Sequence, residues 1–164
     1  MKIELDKKLC QKYPKIFVNR DKPSSESAMH AGFMCEDGWF ELIDQLCARL
    51  KAIQAETQIS ITAVQVKEKF GMLRFYASVD VSSSNLNKKD REIWYDLIYD
   101  VVRSYEDKSQ HICEVCGLED AQLEQVECTL KTVCGQHKIT LEEDVRELHE
   151  QIKHMQGKTN DHIA

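Results

Sequence analysis

Apolar residues recur at every third or fourth position along two stretches of this chain, and that spacing predicts two amphipathic helices. The first covers residues 37–56 and begins at Asp37, a residue suited to an N-cap, and the second covers residues 88–107. The apolar stripes comprise Trp39, Ile43, Leu46, Leu50 and Ile53 in the first helix, and Trp94, Leu97, Ile98, Val101, Val102 and Tyr105 in the second. Each stripe indicates a helix with one face packed on a core.

Between these two helices the pattern changes to that of β-strands. Residues 59–66 are rich in β-branched side chains, and residues 73–79 alternate between apolar and polar positions. Gly71 lies in the short connection between them and supplies the conformational freedom that a tight turn needs. We therefore expect an antiparallel hairpin.

A further apolar stripe lies near the end of the chain and follows a capping-box pattern formed by Thr140 and Glu143. Its members are Leu141, Val145, Leu148 and Ile152. The pattern predicts a helix that begins near Thr140, followed by a flexible tail over residues 157–164.

Four of the seven cysteines lie within one stretch of 22 residues. Cys113 and Cys116 are separated by two residues, as are Cys134 and His137, and seventeen residues lie between the two pairs. Two such pairs can hold one tetrahedral ion, and the spacing is typical of zinc ribbons and treble-clef fingers. The sequence therefore predicts a zinc site.

The predicted zinc ion is structural. Three thiolates and one imidazole complete a tetrahedron and leave no position for the water molecule that a catalytic zinc ion needs. Cys128 and His111 remain alternative ligands, although their spacing is less suitable. The common nucleotide-binding, hydrolase and metalloprotease motifs are absent, so we assign no catalytic residue.

Together these elements predict an α+β protein. A helix–hairpin–helix body over residues 28–109 follows a basic N-terminal arm over residues 1–27. A small zinc-ribbon-like or treble-clef-like module with a terminal helix then occupies residues 110–156.

The charge balance limits the classes of partner. The chain carries 22 basic and 28 acidic residues, which gives a formal net charge of −6 and disfavours a protein that coats nucleic acid. No segment approaches the length of about 20 apolar residues that a membrane span needs, and the first residues lack the apolar region of a signal peptide. We therefore expect a cytoplasmic protein without a membrane partner.

A charged and aromatic cluster falls on the predicted hairpin and its turn. Its members are Lys67, Glu68, Lys69, Arg74 and Tyr76. Such a cluster is either a recognition surface or a solvated face beside a core hairpin, and the second is the commoner case.

Several short blocks carry a resemblance to known proteins. They are YPKIF at residues 13–17, EDGWFELIDQLC at residues 36–47, VQVKEKFGMLRFY at residues 64–76, CEVCG at residues 113–117 and TVCGQH at residues 132–137. Together they resemble a family of small phage and prophage proteins of unassigned activity. The resemblance implies a phage-related origin, a bacterial host cell and no catalytic residues.

These observations lead us to expect a non-enzymatic protein that binds or inhibits a host protein, such as a defence or nucleic-acid-handling enzyme. Residues 114–150 hold ten acidic and three basic residues, and such an acidic surface can occupy a groove meant for nucleic acid. Two alternatives stay open: nucleic-acid binding through the zinc module, the basic arm and the hairpin turn, and an enzyme that uses zinc or a spare cysteine.

Overall fold

The computed structural model describes residues 1–126 and 128–160, with side chains described up to residue 153. The helices are α1 (Ile3–Lys12), α2 (Phe40–Thr57), α3 (Lys88–Lys108) and α4 (Gly135–Asn160). The strands are β1 (Phe33–Met34), β2 (Ser60–Lys69), β3 (Met72–Asp80), β4 (Gln122–Val126) and β5 (Thr129–Val133). The predicted mixture of helices and small sheets is confirmed. Glu127 of the acidic run and residues 161–164 of the expected tail lie outside the described residues.

The strands form two small sheets. β2 and β3 make the predicted antiparallel hairpin, and β1 pairs with β2 in parallel, which gives the order β1-β2-β3. β4 and β5 form a separate antiparallel pair. A bulge between Ala63 and Gln65 shifts the alternation of β2 by one residue, so Ala63 and Val66 are both buried.

The turn between β2 and β3 contains only Phe70 and Gly71, because Lys69 pairs directly with Met72. Both turn residues have positive φ values, 57° for Phe70 and 75° for Gly71, as the primed turns of tight hairpins require. Glycine adopts this conformation at no steric cost, but a bulky residue does not. Phe70 is therefore strained, and its side chain is 64 % exposed.

One core joins α2, α3 and the inner face of the three-stranded sheet. The predicted stripe of α2 is fully or almost fully buried. On α3 the buried residues are Ile98 and Val102, whereas Leu97 is 42 % exposed, so its predicted place in the buried stripe is wrong. The neighbours of α3 cover a narrower strip of the helix than the apolar pattern implied.

Residues 1–27 do not form a separate arm, which differs from the sequence-based expectation. Leu9 of α1 and the following Tyr13, Ile16 and Phe17 belong to the core of the body. The carbonyl oxygen of Ile16 accepts a hydrogen bond of 2.7 Å from the backbone N–H of Ala63, next to the bulge in β2. The apolar residues between the lysines therefore make this segment a layer of the body.

The start of α2 also differs from the prediction. Residues Asp37–Trp39 form a 3₁₀ turn, and the α-helix begins at Phe40. Asp37 does not cap α2, because its carboxylate instead accepts a hydrogen bond from the backbone N–H of Lys2 and pairs with the Lys2 ammonium group at 2.9 Å. In the part of the chain that is described, no helix has the length and apolar character of a membrane span.

The strain at Phe70 leads to a stability prediction. Replacing Phe70 with Asn, which tolerates positive φ, is expected to raise the free energy of unfolding by about 1 kcal/mol. Phe70→Ala removes the same ring without favouring that conformation and is the matched control. Equal unfolding free energies of the two variants in urea would contradict the assignment of strain.

Candidate metal centre

The structure brings the side chains of the four predicted ligands together. The Sγ atoms of Cys113, Cys116 and Cys134 and a ring nitrogen of His137 all lie within 4.8 Å of one another. The Nδ1 atom of His137 lies 3.2 Å from the Sγ of Cys134 and 3.7 Å from that of Cys113, and the Sγ atoms of Cys116 and Cys134 are 3.9 Å apart. Thiolate and imidazole groups at these separations form a plausible metal site.

A tight turn presents the first pair of ligands. The backbone N–H of Gly117 donates to the carbonyl oxygen of Cys113 at 2.8 Å, and the N–H of Cys113 donates to the carbonyl oxygen of Leu118 at 2.8 Å. Gly117 has a φ of 79°, a conformation that favours glycine. The turn points both sulfur atoms to the same side.

The second pair of ligands lies at the start of α4, which begins at Gly135 and not near Thr140 as predicted. Cys134 and His137 are three residues apart, so the first helical turn places them side by side. The Thr140 hydroxyl donates to the carbonyl oxygen of Gln136 at 3.1 Å, as a residue inside a helix does. The ligand-bearing turn replaces the predicted capping box as the start of the helix.

The surroundings of two thiols favour the charged form that binds metals. For Cys113, burial acts to raise the pKa, but hydrogen bonds from the backbone of Cys134, Cys116 and Val115 outweigh it and lower the pKa. Hydrogen bonds from the backbone and ring of His137 lower the pKa of Cys134. Burial raises the pKa of Cys116, with contributions from the neighbouring Cys113 and Cys134.

The two alternative ligands stand outside this cluster. Within the described ranges, the metal-binding group contains only Cys113, Cys116, Cys134 and His137. Cys128 is exposed in the turn between β4 and β5. The structure thus favours the ligand set with the regular spacing.

The remaining cysteines belong to the body. Burial raises the pKa of Cys10 and of Cys35 to about 12, and it also raises the pKa of the fully buried Cys47 well above its usual value. These thiols are therefore protonated at neutral pH and poor nucleophiles.

The metal module, which we define as residues 112–137, is docked against the start of α2. The backbone N–H of Gly38 donates to the carbonyl oxygen of Glu114 at 2.7 Å, and the indole N–H of Trp39 donates to the carbonyl oxygen of Ile112 at 2.9 Å. A Cβ atom on Gly38 would lie only 2.5 Å from both the Glu114 oxygen and the Gly117 nitrogen, and closer still to the Cys113 oxygen. Only glycine at position 38 permits this approach.

The buried side chain of Glu114 strengthens the same contact. Its residue is 1 % exposed, and its carboxylate accepts a hydrogen bond of 3.1 Å from the backbone N–H of Glu36 and pairs with the Lys131 ammonium group at 3.1 Å. Burial raises the pKa of Glu114, while the nearby Lys131 opposes that shift. Glu114 thereby joins the body to β5.

The turn between β2 and β3 makes a second contact with the module. The hydroxyl of Thr132, which is fully buried, donates to the carbonyl oxygen of Gly71 at 2.6 Å. Leu123 of β4 lies where a Cβ on Gly71 would sit. The absence of a side chain at Gly38, Gly71 and Gly117 allows three separate sequence blocks to meet at one place. The sequence pattern gives no signal for the roles of Gly38 and Glu114.

The residues proposed for recognition are only partly brought together. Lys67, Arg74 and Tyr76 share the outer face of the sheet, where the Lys67 ammonium group lies 5.6 Å from the Tyr76 ring centre. The Glu68 carboxylate instead accepts a hydrogen bond of 2.6 Å from the N–H of Gly71 and supports the turn. Arg74 lies 3.7 Å from the Glu106 carboxylate, so its charge is partly compensated.

A cleft of about 750 Å³ lies beside this contact, between α2 and the metal module. Its polar lining includes Glu41, Glu119 and Asp120, together with Lys108 and His111. Asp120 has a φ of 124°, which is strained for a residue other than glycine. Two of the acidic residues thus come from the acidic run that the sequence indicated.

Comparison of this chain with protein-family models, with curated proteins and with solved structures gave no match.

The close approach at Gly38 leads to a second prediction. Gly38→Ala is expected to lower the free energy of unfolding by about 2–3 kcal/mol, because its methyl group overlaps three backbone atoms of the module. Gly135→Ala is the matched control, since an added Cβ there meets nothing within 4 Å. Urea unfolding of the metal-loaded variants provides the measurement, and a Gly38→Ala protein as stable as Gly135→Ala would contradict the docking.

Proposed function

We propose that this chain is a zinc-stabilised, non-enzymatic binding protein that engages a host or phage protein through the cleft between α2 and the metal module. The observation that carries the proposal is the cleft itself. One of its walls contains Gly117 and residues 119–122, which come directly after the turn at Cys113 and Cys116. The resemblance to phage and prophage proteins supports a partner in an infected bacterial cell, where blocking a defence or nucleic-acid-handling enzyme is the expected effect.

The donor set supports zinc as the metal. A tetrahedral ion with Zn–S distances of about 2.3 Å separates two sulfur ligands by about 3.8 Å, and the Sγ atoms of Cys116 and Cys134 are 3.9 Å apart. Three thiolates and one imidazole are a common ligand set of structural zinc sites. In a small zinc-ribbon-like module, the ion would hold the ligand turn, the β4–β5 hairpin and the start of α4 together.

The closed ligand set also supports a binding role over a catalytic one. Four protein donors leave no position on the ion for water or substrate, which metal-assisted hydrolysis requires. The protonated thiols of Cys10, Cys35 and Cys47 argue in the same direction against nucleophilic catalysis.

Metal analysis tests the zinc assignment. We expect one zinc ion per chain in the wild-type protein and in Cys128→Ser, and loss of the ion in Cys113→Ser, because Cys128 stands apart from the ligand cluster. Removing the ion with a strong chelator should lower the melting temperature, since metal binding and folding of such modules are coupled. Full zinc occupancy in Cys113→Ser would contradict the ligand set, and loss of zinc in Cys128→Ser would show an exchanged ligand.

The charge of the cleft supports a partner with basic groups. Among the described residues that line the cleft, the carboxylates of Glu41, Glu119 and Asp120 outnumber the permanent cation Lys108. An arginine of the partner can form two parallel hydrogen bonds with a carboxylate, and a cleft of this volume accommodates such a side chain. A basic groove that normally holds nucleic acid presents groups of this kind.

Charge neutralisation tests the cleft once a partner has been isolated from nuclease-treated bacterial lysate. The triple variant Glu41→Gln, Glu119→Gln, Asp120→Asn is expected to weaken binding by about tenfold at low salt, because attraction between the opposite charges is lost. The matched control removes the same charge from α4 with Glu143→Gln, Glu147→Gln and Glu150→Gln. Equal affinity of the two triple variants at low and high salt would exclude the cleft as the binding site.

A second function, nucleic-acid binding, is favoured by a groove of about 580 Å³ between β3 and α3. Lys69, Phe70, Arg74, Tyr76 and Arg103 line it and combine cations with aromatic rings, as single-stranded nucleic-acid sites do. Ion pairs of Arg74 with Glu106 and of Arg103 with Asp100 reduce its positive charge. A gel-shift titration with single-stranded DNA and RNA distinguishes the two functions, since only the second predicts that the nucleic acid is shifted, with an affinity that falls steeply as salt is added.

A further inference from the structure

A further pocket, of about 260 Å³, lies where the end of α1 meets the last turns of α2, and we refer to it as the α1–α2 pocket. Its floor contains Tyr13 and Ile16, which belong to the core of the body and are almost fully buried. The volume is slightly below the range of about 300–1,000 Å³ for sites of drug-sized ligands, and a cavity of about 150 Å³ holds benzene. A single ring or a short aliphatic group therefore has a suitable size.

The rim of the α1–α2 pocket is basic, although the chain as a whole has a formal net charge of −6. Lys12, Lys15 and Lys51 form this lysine rim, and no carboxylate is among the described residues that line the pocket. Asp44 compensates one of the three charges, because its two carboxylate oxygens lie 2.8 and 2.7 Å from the Lys12 ammonium group. Within the described part of the chain, no ion pair involves Lys15 or Lys51, so two positive charges remain available to a bound anion.

Lys51 lies beside the floor of the pocket. Its ammonium group is 5.8 Å from the centre of the Tyr13 ring, and the Lys12 ammonium group is 5.4 Å from the same ring centre. The ring is fixed in place, since the Tyr13 hydroxyl donates to the backbone carbonyl oxygen of Asp44 at 3.0 Å. Two ammonium groups near one ring repel each other, and an anion bound at the rim would reduce that repulsion.

The end of α2 does not cancel the positive charge of the rim. Carbonyl oxygens at the C-terminus of a helix carry partial negative charge, which repels an anion. Gln58 occupies two of them here: its backbone N–H donates to the Gln54 oxygen at 3.0 Å, and its side-chain amide donates to the Ala55 oxygen at 3.0 Å. These hydrogen-bonded carbonyl groups repel a bound anion less than free ones would.

We propose that the α1–α2 pocket binds a small organic anion, with its carboxylate or phosphate group at the lysine rim and its ring or short aliphatic group on Tyr13 and Ile16. Ammonium groups form strong, charge-assisted hydrogen bonds with both kinds of anionic group. Inorganic phosphate alone would leave the apolar floor in contact with water, so it is the weaker ligand. The pocket and the acidic cleft share none of their described lining residues, so this site does not depend on the proposed function.

An NMR titration of the metal-loaded full chain, followed through its backbone amide signals, tests the site with phenyl phosphate as the probe. We expect the signals of Lys15, Lys51 and Gln58 to shift. Phenol and inorganic phosphate are expected to bind about tenfold or more weakly, because each supplies only one half of the contact. Benzoate shows whether a carboxylate can replace the phosphate group, and binding of either anion supports the site. No shifts with either anion, shifts centred elsewhere in the chain, or equal binding of inorganic phosphate would overturn the proposal.

Charge variants test the lysine rim. The double variant Lys15→Gln, Lys51→Gln is expected to weaken the binding of phenyl phosphate by about tenfold, because the available ammonium groups are lost. The matched control is Lys88→Gln with Lys89→Gln, which removes the same charge from the exposed start of α3. Equal affinity of the two double variants would overturn the role of the rim.

A size variant tests the pocket without changing its charge. Ala55 lines the pocket, so Ala55→Phe is expected to fill part of it and to abolish the binding of phenyl phosphate. Ala52→Phe is the matched control, because Ala52 is also exposed on α2 but is not a lining residue. Circular dichroism and urea unfolding show that every variant is folded, and unchanged binding in a folded Ala55→Phe protein would overturn the proposal.

Discussion

Direct backbone contact between Gly38 and the ligand turn is the constraint on which the rest of this structure depends. Because neither Gly38 nor Gly117 has a side chain, the start of α2 approaches the turn closely enough for the Gly38 N–H to bond to the carbonyl oxygen of Glu114. Such an approach buries Glu114, whose carboxylate must then find partners, and it finds them in the backbone of Glu36 and the side chain of Lys131. A single close contact therefore determines where the module sits and which polar groups it buries.

The shape of the cleft is a consequence of that same contact. Glu119 and Asp120 follow the ligand turn within four residues of Cys116, while Glu41 follows Gly38 by three residues. The distance between the two walls of the cleft is thus set by the docked turn. An ion held by Cys113, Cys116, Cys134 and His137 would keep the shape of that turn and would thereby position the cleft residues Glu119 and Asp120, which are not among its ligands.

The sequence predicted those features that depend on local patterns. The apolar stripe of α2, the alternation in the hairpin and the paired ligand spacing each reflect neighbours within a few residues, and the corresponding elements are present in the structure. Contacts between distant segments were not predictable in this way. The many lysines in residues 1–27 indicated a solvated arm, although Leu9 and Phe17 belong to the core. The sequence around Gly38 likewise gives no sign that residue 114 lies against it. The N-cap assigned to Asp37 failed for the same reason, since its partner Lys2 is remote in sequence.

The large separation along the chain between Glu36 and Glu114, 78 residues, has a consequence for the order of assembly during synthesis. When α2, the hairpin and α3 have just emerged from the ribosome, the Glu114 carbonyl group that accepts the hydrogen bond from the Gly38 N–H is still inside the exit tunnel. The N-terminal two thirds of the chain is therefore available before the module that contacts Gly38 and Trp39. We expect this contact to form late in folding, as other long-range contacts do. Completion of the fold is therefore tied to the emergence of Cys113, Cys116 and Cys134, and an ion bound there would tie it to the supply of metal in the cell as well.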